Sequence, residues 1–377
     1  MIALVSHLPL QIEGGGTFAV TWHVWQSLKT RLPDLQFQHV KPSVDRWARF
    51  RSRLCRKLLR RPGNFFTFSE RALQQTADRL QAVLPARTDC VLFRTSTRWV
   101  RCRPQVPYFV HLDAVFHTFH RNTFPAGEFA AADLHRIYDR EAEFLEGAAG
   151  VFFESSWGLE QAVQHYRLRG HHYTSVGVAG NLPVSATCPA AARGRSVLTI
   201  ARRFAQKGGD YLAAGWLQLR QQFPDCRWHI VGGPAPAEVL QLPGVIYEGF
   251  LRPDVPAELM RMQTLLQQSS LLVHPTREDM NPLVLLEAAG FGCPAVTVRD
   301  FAIPELVQDG TTGVLLDRPL SGPAVAAAVA ALWNDPRRLQ DMSQAAWQSV
   351  RQGGGWNAIG DRLAGLITAG MSQKLSF

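Results

Sequence analysis

Short apolar runs recur along the chain, each bounded by glycine, proline or charge, and most lead into a stretch with helical spacing. Runs of this kind read as strands buried on both faces of a parallel sheet. In the first half they are Met1–Ser6, Leu35–Val40, Cys90–Thr95, Val106–His111, Ala149–Trp157 and Ser175–Asn181. In the second half they are Ser196–Ile200, Cys226–Gly233, Gly244–Leu251, Leu271–Val273 and the segment Pro294–Leu316. Helical patterns lie at about Thr17–Leu32, Glu141–Ala149, Ala257–Gln268 and Leu283–Ala289, and two helices close the chain, the last at Trp356–Ile367. Pro183–Arg195 is small, Pro/Ala-rich and unpatterned, as a linker is. The alternation predicts the α/β class, with two Rossmann-like domains, 1–182 and 195–355, facing a cleft.

Composition narrows the class. The 377 residues are 46% apolar and 19% charged, as in an ordinary soluble protein of about two domains. The net charge of +9 calls for an anionic partner: nucleotide, nucleic acid or acidic membrane. Six scattered cysteines without a C-x-x-C pair read as reduced thiols of a cytoplasmic protein. No run reaches membrane-span length, and the first strand begins without a signal-peptide pattern. The stretch "RWARFRSRLCRKLLRR" carries Trp47, Phe50, Leu54 and Leu58 at helical spacing among eight cations, Arg46 to Arg61. It is either a solvated helix packed on its domain or a contact for anionic lipid or an anionic acceptor.

The chemistry concentrates in Pro275–Pro294, "PTREDMNPLVLLEAAGFGCP". Asn281 reads as an N-cap and Pro282 as the first helical residue, so an acidic turn precedes a helix N-terminus that suits a phosphate. Asp279 and Glu287, eight apart, flank that anion site and suit sugar hydroxyls, which donate to carboxylates. Arg202 and Lys207 follow a strand end and can neutralise a diphosphate. Glu13–Gly16 makes a Gly-rich strand-to-helix loop, matching neither a dinucleotide fingerprint nor a P-loop. His111, with Asp113 two residues on, sits just past a strand end, where α/β proteins bind ligands. His117 and His120 lack a third ligand at sensible spacing, so no metal is expected.

The 275–294 stretch resembles the E-x7-E motif of retaining glycosyltransferases of family 4, which have the GT-B fold. Asp279 stands where most members have the first Glu, with Glu278 beside it. "RRFAQKG" resembles the family's R-x-F-x-x-K-G, and Pro304-Glu305 with Gly313 fits a further segment. The resemblance implies that residues 356–377 pack back on the N-terminal domain, which binds the acceptor. It also implies hexose transfer from a UDP- or GDP-sugar, with retention and without a metal or other cofactor. Arg202, Lys207 and the amides of Met280, Asn281, Leu283 and Val284 would then hold the diphosphate. Glu287 would take the ribose hydroxyls, Asp279 or Glu278 the hexose, and Gly249, Phe250 and Leu251 the base. His111 would stand by the donor sugar, and Gly15 and Gly16 would face diphosphate and acceptor. The expected partners are the nucleotide sugar and a glycan or lipid-linked acceptor at the inner face of an anionic membrane. An epimerase or phosphorylase of the same fold is the nearest alternative. A non-catalytic binder of anions or nucleic acid is another, without any nucleic-acid motif to support it.

Overall fold

The computed structural model describes residues 1–11, 16–188 and 193–374. In chain order its first elements are β1 (Ile2–Ser6), α1 (Gly16–Lys29), β2 (Leu35–His39), α2 (Arg46–Lys57), α3 (Glu70–Val83) and β3 (Cys90–Arg94). They are followed by β4 (Tyr108–Leu112), α4 (Phe116–Thr123), α5 (Ala131–Glu146), β5 (Gly150–Phe153), α6 (Ser156–Tyr166) and β6 (Tyr173–Ser175). Then come β7 (Ser196–Ala201), α7 (Gly209–Gln222), β8 (Arg227–Gly232), α8 (Ala237–Leu240), β9 (Val245–Gly249), α9 (Pro256–Gln268) and β10 (Leu271–His274). The chain ends with α10 (Leu283–Gly290), β11 (Ala295–Val298), α11 (Ile303–Leu306), β12 (Gly313–Leu316), α12 (Gly322–Trp333), α13 (Pro336–Gln352) and α14 (Gly355–Lys374).

Two compact units result. One holds Met1–Gln11, Val20–Val178 and the chain from Trp356 on, the other Ala179–Gly355 with the first turn of α1, up to Ala19. Each contains a six-stranded sheet whose described pairings are all parallel. Parallel strands covered on both faces must be apolar throughout, and β1, β3, β5, β10 and β11 are buried at every position. The first core gathers Phe93, Trp99, Phe144 and Phe153, and the second gathers Trp216, Trp228, Ile230 and Val273. Within the first unit α14 lies against α1 and β4: a side chain at Gly360 would strike Ser27, and one at Gly370 would strike Phe109. Arg31 pairs there with Asp361 at 2.5 Å.

The sheet orders are β2-β1-β3-β4-β5-β6 and β12-β11-β10-β7-β8-β9. In the second unit the order reverses between the neighbours β7 and β10. A crevice opens outside the carboxyl ends of two strands where their connections leave in opposite directions, and α/β proteins bind ligands at such a point.

Two expected elements differ, and one open reading is decided. The strand read over Ser175–Asn181 is only Tyr173–Ser175. The helix read over Glu141–Ala149 begins ten residues earlier, at Ala131, and ends at Glu146. In α2 the large apolar residues face solvent instead of packing on the unit.

Candidate active site

The loops after β7 and β10 form one piece. Residues 203–208 make tight turns in which Lys207 N–H donates to Arg203 O at 3.1 Å and Gly208 N–H to Ala205 O at 3.1 Å. Gly208 has φ +80 and caps α7, and any side chain there would run into the Pro275 carbonyl. Only glycine lets the two loops approach so closely. Arg277 N–H then donates to Gln206 O at 2.9 Å, and Thr276 Oγ1 to the same carbonyl at 3.2 Å. The Arg277 guanidinium spans to Asp210 with two bonds, 2.6 and 2.7 Å, and lies 4.0 Å over the Tyr211 ring.

This clamp sets Lys207 against Asp279, Nζ to Oδ2 at 2.6 Å. The buried His274, at the end of β10, approaches the same oxygen with Nε2 at 3.3 Å. Burial alone would raise the Asp279 carboxyl. The adjacent His274 imidazole and the Lys207 charge outweigh it and hold the carboxyl down at about 2. The backbone N–H of Asp279 donates to Thr276 Oγ1 at 3.1 Å, which fixes the turn. Glu278 points elsewhere and pairs with Arg203, whose side chain is largely exposed.

Helix α10 starts one residue later than the sequence suggests. Pro282 is the cap, with extended backbone (φ −76, ψ 96), and Asn281 does not cap it; no side chain closes this end. The ring of Pro282 supplies no N–H and favours that φ, so the helix begins at Leu283. Leu285 N–H turns back to Pro282 O at 3.1 Å. The N–H groups of Leu283 and Val284 are left facing outward at the positive end of the helix. One turn along, Glu287 Oε1 accepts from Asn181 N–H at 3.1 Å. Burial pushes the Glu287 carboxyl above its usual range, and the Asn181 N–H only partly offsets this.

A cavity of about 410 Å³ joins these groups. Arg202, Lys207, His274, Asp279, Asn281, Leu283, Val284 and Glu287 are among its walls. Phe250, Leu251, Leu259 and Met262 add apolar lining. Its size is that of a small-molecule site. Arg202 stacks over the Phe250 ring at 5.1 Å. Gly249, Glu278 and Met280 are not among its walls. Among the described residues no cluster of His, Cys, Asp and Glu has the geometry of a metal site.

Residues 194–335 match the family described as "Glycosyl transferases group 1". Over 181 residues the chain is 32% identical to a "GDP-mannose-dependent alpha-(1-6)-phosphatidylinositol monomannoside mannosyltransferase" of Mycolicibacterium smegmatis, covering 46% of this chain and 47% of that one. It is 29% identical over 178 residues to an "Alpha-D-kanosaminyltransferase" of Streptomyces kanamyceticus, covering 45% and 44%. The chain thus spans about half the length of the curated relatives it matches. In fold it is similar to sucrose-phosphate synthase from Thermosynechococcus elongatus, with a TM-score of 0.72, 15% identity and 98% of each chain covered. It is also similar to WaaG, "a glycosyltransferase involved in lipopolysaccharide biosynthesis", with a TM-score of 0.67, 14% identity and 98% and 100% covered.

The chain has the GT-B fold, and its residues 194–335 are similar to the group 1 glycosyltransferases.

In this GT-B chain the matched segment contains every residue lining the cavity except Ala19, Asn181 and Leu182. The first unit corrects one expectation. His111 lies inside β4, not past its end, and is wholly buried. Its Nδ1 meets Arg94 Nη1 at 2.5 Å, and Arg94 pairs with Glu154 at 3.1 Å. Burial, then the Arg94 charge, keeps the imidazole well below its usual range and therefore neutral. The residue past the strand is Asp113, partly exposed, with Oδ1 accepting from Ala114 N–H at 2.8 Å. Gly16 opens α1, and Gly15 lies outside the described residues. Sequence reasoning missed His274, Arg277 and Asp210. The one signal for them was position, since all three directly follow or end β7 and β10 or open α7.

Proposed function

We propose that the chain moves a hexose from a UDP- or GDP-sugar to an acceptor hydroxyl, with retention and without a metal, in glycan, glycolipid or envelope polysaccharide synthesis. The observation that carries this reading is the meeting of Arg202, Lys207, Asp279, Glu287 and the open end of α10 on one cavity at the reversal point of a parallel sheet. Retention rests on the Asp279–Glu287 spacing, which resembles that of retaining enzymes.

Each group then has a task. Arg202, Lys207 and the N–H groups of Leu283 and Val284 receive the departing diphosphate, where preorganised donors act most strongly. The bond from the anomeric carbon to the phosphate oxygen breaks, and one to the acceptor oxygen forms. The hydroxyl proton passes to the departing phosphate, and no electrons change hands. Glu287, held by the Asn181 N–H, accepts from the ribose hydroxyls. Asp279, not Glu278, accepts from the hexose, because only Asp279 reaches the cavity. Phe250 and Leu251 hold the base. The mannosyl and kanosaminyl transfers named for the two relatives are reactions of this class. The acceptor is a glycan or a lipid-linked sugar, met at an anionic membrane surface on the cytoplasmic side.

A thermal-shift panel of nucleotides and nucleotide sugars in excess chelator tests the reading, since a ligand of the folded state raises Tm. One nucleoside diphosphate sugar should raise Tm, and its consumption should require an acceptor alcohol. Failure of every nucleotide to shift Tm contradicts the reading. Conversion of the sugar without an acceptor would make the chain an epimerase or hydrolase.

A further inference from the structure

Helix α2 is inverted relative to a helix that packs on a domain. With 100° between successive residues, Ala48, Ser52 and Cys55 share the side turned to the unit. All three are small, and the buried Ser52 donates to Asn64 O at 2.6 Å. Trp47, Phe50 and Leu54 fall on the opposite side and are 71%, 58% and 37% exposed. Leu58, the C-cap residue, extends the stripe at 72%, and Leu59 just beyond the helix is 52% exposed. Two cations lean inward: Arg56 pairs with Glu128 and lies 5.0 Å over the Phe129 ring, and Arg49 lies 6.0 Å over Phe66. The other six, Arg46, Arg51, Arg53, Lys57, Arg60 and Arg61, are exposed along and beyond the stripe and make no ion pair among the described residues. Asp45 caps the helix through Ala48 N–H at 2.9 Å, so the arrangement is a formed helix and not a frayed end.

A contiguous apolar stripe in water is unfavourable and marks a surface that meets something. The charges decide what. A second copy would bring six unpaired cations against six more. A nucleic acid would engage the cations but leave Leu54, Leu58 and Leu59 in water. An anionic bilayer satisfies both halves, since acyl chains take the apolar stripe and lipid phosphates take the cations. The helix has twelve residues and is too short to span, so it must lie in the interface plane. No helix among the described residues is long and apolar enough to cross a membrane.

We propose that α2 is an interfacial membrane anchor in which Trp47, Phe50, Leu54 and Leu58 enter an anionic bilayer surface and the six flanking cations bind its phosphates. The proposal rests on the glycosyl-transfer reading only for what it implies about a lipid-linked acceptor; the surface itself does not depend on that reading. Sedimentation with mixed phosphatidylglycerol–phosphatidylcholine vesicles, and with phosphatidylcholine alone, tests it. Binding is expected to the anionic vesicles at low salt only, with release at high salt. A Trp47→Ser/Phe50→Ser/Leu54→Ser variant should partition about tenfold less or weaker still. An Arg46→Gln/Arg51→Gln/Arg53→Gln variant should lose the preference for anionic lipid. The nucleotide-induced Tm shift of both variants, set by the other unit, should match that of the unaltered chain. That readout separates failure of this proposal from failure of the sugar-transfer reading. Absence of binding at low salt, equal binding to both vesicles, or undiminished binding by the apolar variant overturns the proposal. So does binding of an oligonucleotide, or dimerisation through this stripe, in place of vesicles.

Discussion

Lys207 and Asp279 are 72 residues apart in the chain and 2.6 Å apart in space, Nζ to Oδ2. The carboxyl of Asp279 sits at about 2, below its ordinary 3.8. A lowered value stabilises the folded state above the ordinary value, and that stability is lost as pH falls through the folded one. The gap is worth about 2 kcal/mol, to order of magnitude. Asp279→Asn should therefore lower the urea unfolding free energy by about 2 kcal/mol at pH 7 and by roughly half of that at pH 3. A penalty that does not change with pH contradicts the pairing.

The two acids should separate in calorimetry. Glu287→Ala is expected to weaken binding of the free nucleoside diphosphate, and Asp279→Ala to spare most of that binding while suppressing transfer. Glu278→Ala should do neither strongly, because its side chain is spent on Arg203. A larger loss of transfer in Glu278→Ala than in Asp279→Ala would shift the acid role by one residue.

Arg277 touches the cavity only through others, by joining the two loops to Asp210 and the Gln206 carbonyl. Arg277→Lys keeps the charge and loses the two-pronged contact. The expected result is a fall in kcat of about tenfold with nucleotide affinity little changed, since misplacing Lys207 affects the transition state more than the ground state. Unaltered kcat would mean that Lys207 does not need the clamp.

In the first unit, position predicts a reversal of the roles read from sequence. His111→Ala should reduce stability by about 2 kcal/mol or more, because it leaves the buried Arg94 short of a partner. Asp113→Ala should leave Tm nearly unchanged and reduce transfer, since it stands beyond the carboxyl end of β4. The opposite pattern restores His111 as the ligand-facing residue.

Legibility in the sequence followed physical cause. Strands such as β1 and β10 are buried on both faces, so their composition alone reveals them. The acidic turn before α10 was visible because polar residues directly follow an apolar run. His111 was misplaced because the strand ends one residue later than read, at Leu112, an offset that a continuous apolar run cannot resolve. The cap of α10 moved from Asn281 to Pro282 because proline also tolerates extended backbone. In α2 the period exposed a face but not its direction, since direction depends on what the neighbours Asn64 and Gly63 leave room for. The pairing of Arg277 with Asp210 and of Lys207 with Asp279 is tertiary, and no local signal carries it.

The central claim is that Lys207 and its neighbours receive a departing diphosphate. Single-turnover transfer by Lys207→Ala, with nucleotide affinity measured on the same sample, addresses it most directly. The loss of one charge-assisted contact to the leaving group should raise the barrier by about 2–4 kcal/mol, a fall in rate of roughly 10²- to 10³-fold, in a variant that remains folded. Near-normal transfer by a folded Lys207→Ala chain would contradict the account.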